Sequence, residues 1–165
     1  LYLSGRAKDL IIRSGHNIDP ELIEEPLNVH ADVVTSIAIG LPDPYAGELP
    51  MAYVVKVANS DVTEIELIDH CASAMSERAA IPKRIEFIDA MPLTAVGKIF
   101  RPTLRQKISE QVIRELLAKK SLEATITSEI EKKRGLVLSI DVADKTKLDE
   151  VKKLVEGYIF TSAIH

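Results

Sequence analysis

Two β-rich runs at residues 33–39 (Val-Val-Thr-Ser-Ile-Ala-Ile) and 51–57 (Met-Ala-Tyr-Val-Val-Lys-Val) constrain the fold most, because each is short and bounded by turn-forming residues. They predict two strands paired in one sheet, joined by a loop from Gly40 to Pro50 rich in Gly, Pro and Asp. Helical patterns stand on either side. Asp19 before Pro20 and Glu21 reads as an N-cap, a proline in the first helical position and an acid in the first turn. A helix to about Leu27 follows, and Pro26 should kink it or end it early, since proline has no N–H for the Leu22 carbonyl. Thr63 is placed to cap a second helix over 64–78, with Ile65, Ile68, Cys71, Ala72 and Met75 at three- and four-residue steps. Ile85, Phe87 and Ile88 predict another strand, residues 89–98 a loop, and Pro102 opens a helix carrying Leu104, Ile108, Val112 and Leu116.

At the start of the chain, Tyr2-Leu3 and Leu10-Ile11-Ile12 flank a polar turn over residues 4–9, which predicts two short strands about a mobile connection. Beyond Lys120 the pattern changes to strand (122–127), charged turn (131–135), strand (136–142), helix (145–156) and strand (158–161). The expected class is therefore α+β: a small mixed sheet with flanking helices, followed by a β-β-α-β extension. Leu136, Leu138, Ile140 and Val142 in that extension can pack on the helix that begins at Lys145, which is the simpler arrangement, or face a partner.

With 165 residues and 46% hydrophobic content, the chain can bury one core and a small second one. A formal net charge of −4 gives no basic excess for nucleic acid or an anionic membrane. Charge is uneven: residues 1–102 carry 9 Lys/Arg against 15 Asp/Glu, and residues 103–165 carry 12 against 10, which marks a composition boundary. The single Cys71 excludes an intramolecular disulfide and fits a cytoplasmic setting. No apolar run approaches the roughly 20 residues that span a bilayer. His30 and His70 lack metal-ligand spacing, so no metal site is expected. The absence of an initial Met suggests a piece of a longer polypeptide.

Two motifs carry chemistry. One is Pro92-Leu93-Thr94-Ala95-Val96-Gly97-Lys98-Ile99-Phe100-Arg101; the other is Gly5-Arg6-Ala7-Lys8-Asp9 continuing through Ile11-Ile12-Arg13-Ser14-Gly15-His16-Asn17-Ile18. An isolated Gly-Lys pair in a surface loop is ordinarily a solvated lysine. Here Pro92, Thr94, Gly97, Lys98, Ile99 and Arg101 together resemble the PxTxxGKIxR signature of adenylate-forming enzymes, and the opening run resembles their GRxKDxIxxxGxNI hinge segment, at the family's spacing. The chain thus resembles the C-terminal lid of an AMP-forming acyl-CoA synthetase over residues 1–105.

The resemblance implies residues 1–8 as the hinge and the end of an N-terminal domain outside this chain, 9–120 as the lid, and 121–165 as an addition that most such lids lack. It implies Lys98 as the catalytic lysine of adenylation, with Thr94, Gly97 and Arg101 supporting its loop. Adenylation brings a carboxylate to the α-phosphate of ATP, and a lysine ammonium on a flexible stem can reach both anions. Arg6, Lys8 and Asp9 correspond to the hinge, with Lys8 as pivot. Ser14, Gly15 and His16 correspond to the channel for the pantetheine arm of CoA, and His16 invites a general-base role toward the thiol. The Pro42-Asp43-Pro44-Tyr45-Ala46-Gly47-Glu48 segment matches a family motif that reads as structural. Many CoA ligases carry an aromatic and a lysine where Ala79 and Ala80 stand here.

The implied partners and cofactors are the adenylation domain, ATP, Mg²⁺ and CoA, held mainly by that domain, with a fatty acid as the expected substrate. The chain alone is expected to be inactive. Alternatives are a fatty-acyl-AMP ligase, an adenylation domain serving a carrier protein, or a protein-interaction or homodimerisation module built on residues 121–165. Acetylation of Lys98 would remove the charge and is an expected means of control.

Overall fold

The computed structural model describes residues 9–165, so the expected strand at Tyr2-Leu3 and residues 4–8 of the expected hinge turn lie outside the described residues. The chain divides into two compact units, one comprising residues up to Leu41 with Glu48–Arg101, the other Pro42–Gly47 with Pro102–His165.

The first unit is built on β1 (Ile11–Arg13), β2 (His16–Ile18), α1 (Glu21–Asn28), β3 (Val33–Asp43), β4 (Gly47–Lys56), α2 (Glu64–Ala74) and β5 (Arg84–Phe87). Its sheet has the order β2-β1-β4-β3, and β5 also pairs with β4. β1 and β2 form an antiparallel hairpin, whereas β5 runs parallel to β4, Met51 opposite Arg84 through Val54 opposite Phe87. Since β3 takes one edge of β4, β1 and β5 share the other in succession. Ile11, Ile18, Ile23, Leu27, Val54, Leu67, Cys71 and Ile85 are among the side chains of its core.

Several expectations are corrected here. The loop expected over 40–50 is largely strand: β3 runs to Asp43 and β4 begins at Gly47, leaving a three-residue tip. Pro42 is accommodated because it lies in the edge strand β3, while the Pro50 carbonyl accepts from the Lys83 N–H (2.7 Å). The tip is closed by Asp43, whose Oδ1 accepts from the N–H groups of Tyr45 (2.9 Å) and Ala46 (2.7 Å). α2 starts at its Thr63 cap as expected but stops at Ala74, about one turn early, because Met75 turns to extended backbone (φ −106°, ψ 136°). Its buried face is also displaced: Leu67 and Cys71 are buried with Ile68 and Met75 partly so, while Ile65 is 70% exposed.

In α1, Pro20 has helical angles and the Asp19 Oδ1 accepts from the Glu21 N–H (3.1 Å), so Asp19 caps the helix in the expected way. The helix ends two residues after Pro26. The Pro26 carbonyl accepts from Nε2 of His70, at 3.0 Å, which satisfies one of the acceptors left over at a helix C-terminus.

The second unit contains all but the first residue of α3 (Arg101–Lys119), then β6 (Ala124–Glu131), β7 (Gly135–Val142), α4 (Leu148–Val155) and β8 (Thr161–Ile164). The β-β-α-β order is as expected; its sheet has the order β6-β7-β8, with β8 parallel to β7. Leu138, Ile140 and Val142 of β7 are buried with Val151 and Val155 of α4 and Ile113 and Leu117 of α3, so they pack within their own chain. The fully buried positions of α3 in this cluster are Ile113 and Leu117 rather than the expected Val112 and Leu116. A 3-10 turn, Lys145–Lys147, precedes α4 and shortens the helix expected over 145–156. The last strand lies at 161–164 instead of 158–161, because Tyr158 still donates its N–H to the Val155 carbonyl (3.1 Å) and stacks its ring on Phe160.

Candidate functional site

The lysine motif forms a small hairpin between β5 and α3. Leu93 and Ile99 make an antiparallel bridge, and the Phe100 N–H donates to the Pro92 carbonyl (2.8 Å) at its base. Gly97 has φ +79° and donates its N–H to the Thr94 carbonyl (2.9 Å), a turn ending in a left-handed residue that favours glycine. Thr94 then holds residue 98 from both sides: its N–H donates to the Lys98 carbonyl (2.7 Å), and its Oγ1 accepts from the Lys98 N–H (3.1 Å). The motif threonine and glycine therefore fix the backbone of Lys98. The lysine is exposed, and its ammonium has no protein partner among the described residues.

Arg101 anchors the far end of this loop. Its NH1 donates to Glu24 Oε1 (2.8 Å) and to the Ala38 carbonyl (2.8 Å), and its NH2 to Glu24 Oε2 (3.3 Å). Both side chains are largely withdrawn from water, at 21% and 13% exposure. The structure thus gathers Lys98, Thr94, Gly97 and Arg101 on one loop.

Ser14, Gly15 and His16 lie elsewhere, at the tip of the β1–β2 hairpin. Ser14 (φ 50°) and Gly15 (φ 80°) are both left-handed, as a two-residue hairpin turn requires, and among the described residues, apart from its chain neighbours, no atom lies within 4 Å of where a Cβ on Gly15 would be. His16 Nε2 lies 2.6 Å from Glu77 Oε1, and Arg13 NH1 donates to the Ala79 carbonyl (2.7 Å). These bonds tie the hairpin to the segment after α2. Of the hinge residues, Arg6 and Lys8 lie outside the described residues, and Asp9 is half-buried.

Sequence reasoning did not single out Glu24 and Glu77. Each meets its partner, Arg101 or His16, across more than 60 residues, so no local pattern announces them. Glu48, which the sequence placed in a structural motif, reaches over Gly40 and accepts from the Ile12 N–H (2.8 Å); a Cβ on Gly40 would lie 2.3 Å from its Cδ. Among the described residues no three His, Cys, Asp or Glu side chains gather as a metal set, and no helix is long and apolar enough to cross a membrane.

Residues 22–98, which include all but the first residue of α1, the sheet from β3 to β5 and the lysine itself, match the family model of the AMP-binding enzyme C-terminal domain. The chain carries the C-terminal lid domain of the adenylate-forming enzymes. It is 41% identical over 156 residues to a marinolic acid–CoA ligase of Pseudoalteromonas sp., covering 92% of this chain and 24% of that protein. A 2-succinylbenzoate–CoA ligase of Bacillus mycoides is 39% identical over 110 residues, 67% of this chain and 22% of the relative. Among solved structures, a fatty acyl CoA synthetase of Mycobacterium tuberculosis aligns with a TM-score of 0.61 and 34% identity over 67% of this chain and 22% of its own. The chain therefore spans less than a quarter of the length of the curated relatives named here. The Pseudoalteromonas match is too long to stop at residue 120, so that relative shares the lid together with most of the β-β-α-β extension.

Proposed function

We propose that this chain is the lid of an ATP-dependent, AMP-forming acid:CoA ligase, that it works with an adenylation domain of the same polypeptide, and that Lys98 is its adenylation lysine. The observation that carries this reading is the lysine loop, in which an exposed ammonium, without a partner among the described residues, stands on a turn whose backbone is held by Thr94 and Gly97. In the reaction a substrate carboxylate oxygen bonds to the α-phosphorus of ATP and pyrophosphate leaves. Lys98 neutralises the two anions as they approach and the charge that builds on the phosphoryl oxygens. Thr94 and Gly97 hold its backbone, so the ammonium is delivered with little reorganisation.

The thiol of CoA then attacks the acyl carbonyl and AMP leaves. We assign the Ser14-Gly15 tip to the path of the pantetheine arm, because the space beside Gly15 is open and Gly15 presents no side chain to a thin substrate. His16, oriented by Glu77, is placed in the same reading beside that path. Mg²⁺ would supply charge neutralisation on the phosphates, and in this reading the adenylation domain holds it. A fatty acid is the substrate class we propose, supported by the hinge resemblance and by the fatty acyl CoA synthetase among the structural relatives.

In the full-length protein, Lys98→Ala is expected to lower acid-dependent pyrophosphate release by roughly 10²–10³-fold, the usual scale for losing one positioned electrostatic group. Acyl transfer to CoA from supplied acyl-adenylate should be unchanged. Equal loss of both half-reactions would overturn the assignment of Lys98, and acyl-adenylate that does not react with CoA would favour a carrier-protein acceptor.

A further inference from the structure

We propose that Glu24 is a positioning residue for adenylation, holding Lys98 in place through Arg101; the proposal rests on the reading of Lys98 given above. β3 is the last strand of its sheet among the described residues, so alternate N–H and C=O groups along its outer edge have no strand partner. α1 supplies the partners. Asn28 Oδ1 accepts from the N–H (2.8 Å) and Oγ (2.9 Å) of Ser36, and Glu24 Oε1 accepts from the Ala38 N–H (2.8 Å). The spacing matches: four residues of helix advance about 6 Å and two residues of strand about 6.6 Å, so positions 24 and 28 meet positions 38 and 36.

Arg101 completes the arrangement by donating NH1 to the Ala38 carbonyl and both NH1 and NH2 to Glu24. The carboxylate and the guanidinium together engage both backbone polar groups of one β3 residue and each other. Arg101 lies three residues after Lys98 and one after Phe100, which closes the loop base on Pro92. The exit of the lysine hairpin is thereby fixed to α1 and β3 by a largely buried, fork-shaped charge pair, the geometry that gives arginine its directional hold on carboxylates. Removing the charge of Glu24 leaves the guanidinium without its counter-ion and frees the loop exit. The lysine is then still present but no longer confined to one approach, and misplacement of about 1 Å at a reacting group can cost on the order of 10²-fold.

The test uses the full-length protein and both half-reactions. Glu24→Gln keeps an acceptor for the Ala38 N–H while removing the charge, and Arg101→Lys keeps a charge while removing the fork. Each is expected to lower kcat for acid-dependent pyrophosphate release at least tenfold, to leave KM for ATP within twofold, and to leave CoA transfer from supplied acyl-adenylate unchanged. Combining Glu24→Gln with Arg101→Lys should be no slower than the slower single variant, since both break one device. Rates of pyrophosphate release within twofold of the parent for Glu24→Gln and Arg101→Lys would overturn the proposal. So would equal losses in both half-reactions with a lowered unfolding midpoint, which indicate a role in stability alone. Lys98→Ala measured alongside separates the two levels: if it too is silent in adenylation, the reading of Lys98 fails, and if it alone is impaired, only the role of Glu24 fails.

Discussion

Cys71 shows how burial decides the chemistry of a residue. It lies fully inside the first core, and burial pushes its thiol up to about 11 from a reference of 9.0. At neutral pH it is a protonated, unreactive side chain. Because the folded form holds the proton more tightly than the unfolded form, its contribution to stability is complete below about pH 9 and is lost as pH rises toward about 11. Alkylation with iodoacetamide at pH 8 is therefore expected to proceed only at the rate of unfolding, and denaturant midpoints should fall between pH 9 and 11 in the native chain but less in Cys71→Ala. His30 and His70, which have no metal-ligand spacing in sequence, meet edge to face with ring centroids 4.9 Å apart. The pair is structural in effect, since His70 takes up the Pro26 carbonyl.

The ends of the helices separate what the sequence makes legible from what it does not. The start of α2 was readable because its signal is local: Thr63 Oγ1 accepts from the Glu66 N–H (3.3 Å), while Glu66 Oε2 accepts from the Thr63 N–H (2.8 Å), a reciprocal cap within four residues. The bonds that its carboxylate accepts from Thr63, backbone N–H first and hydroxyl second, hold the Glu66 carboxyl below its ordinary range, so this contribution is complete above that range and is lost as pH falls below it, through the lowered folded-state value. Thr63→Ala is expected to cost about 1 kcal/mol, read from urea unfolding at pH 7. The end of α2 was not readable, because the segment beyond Ala74 answers to Arg13 and His16 more than 60 residues away. The same division runs through the site. Gly97 and Thr94 hold the backbone of Lys98 over four residues and stand in a recognisable motif, but Glu24 lies 77 residues from Arg101 and their contact appears only when α1 is laid along β3.

At the scale of the molecule, the change in charge after residue 102 coincides with the division of the chain, since Arg101 closes the first unit and Pro102 opens the second stretch of the other. The change in pattern at Lys120, by contrast, falls at the end of α3, whose Ile113 and Leu117 are buried with β6, β7 and α4. Truncation after Lys120 should therefore expose the last turns of α3. Hydrogen exchange of residues 113–119 is expected to quicken at least tenfold in the truncated chain, and unchanged protection there would show that α3 stands without the extension. The side chains along the outer edge of β3 have one more consequence. A terminal strand with free N–H and C=O groups is a template on which another polypeptide can add. Asn28 occupies the N–H of Ser36, and Glu24 and Arg101 the N–H and C=O of Ala38, so the contacts proposed to direct the lysine also cover part of this edge against a second copy, and variants that lose them should be recognised by self-association as well as by slower adenylation in the full-length protein.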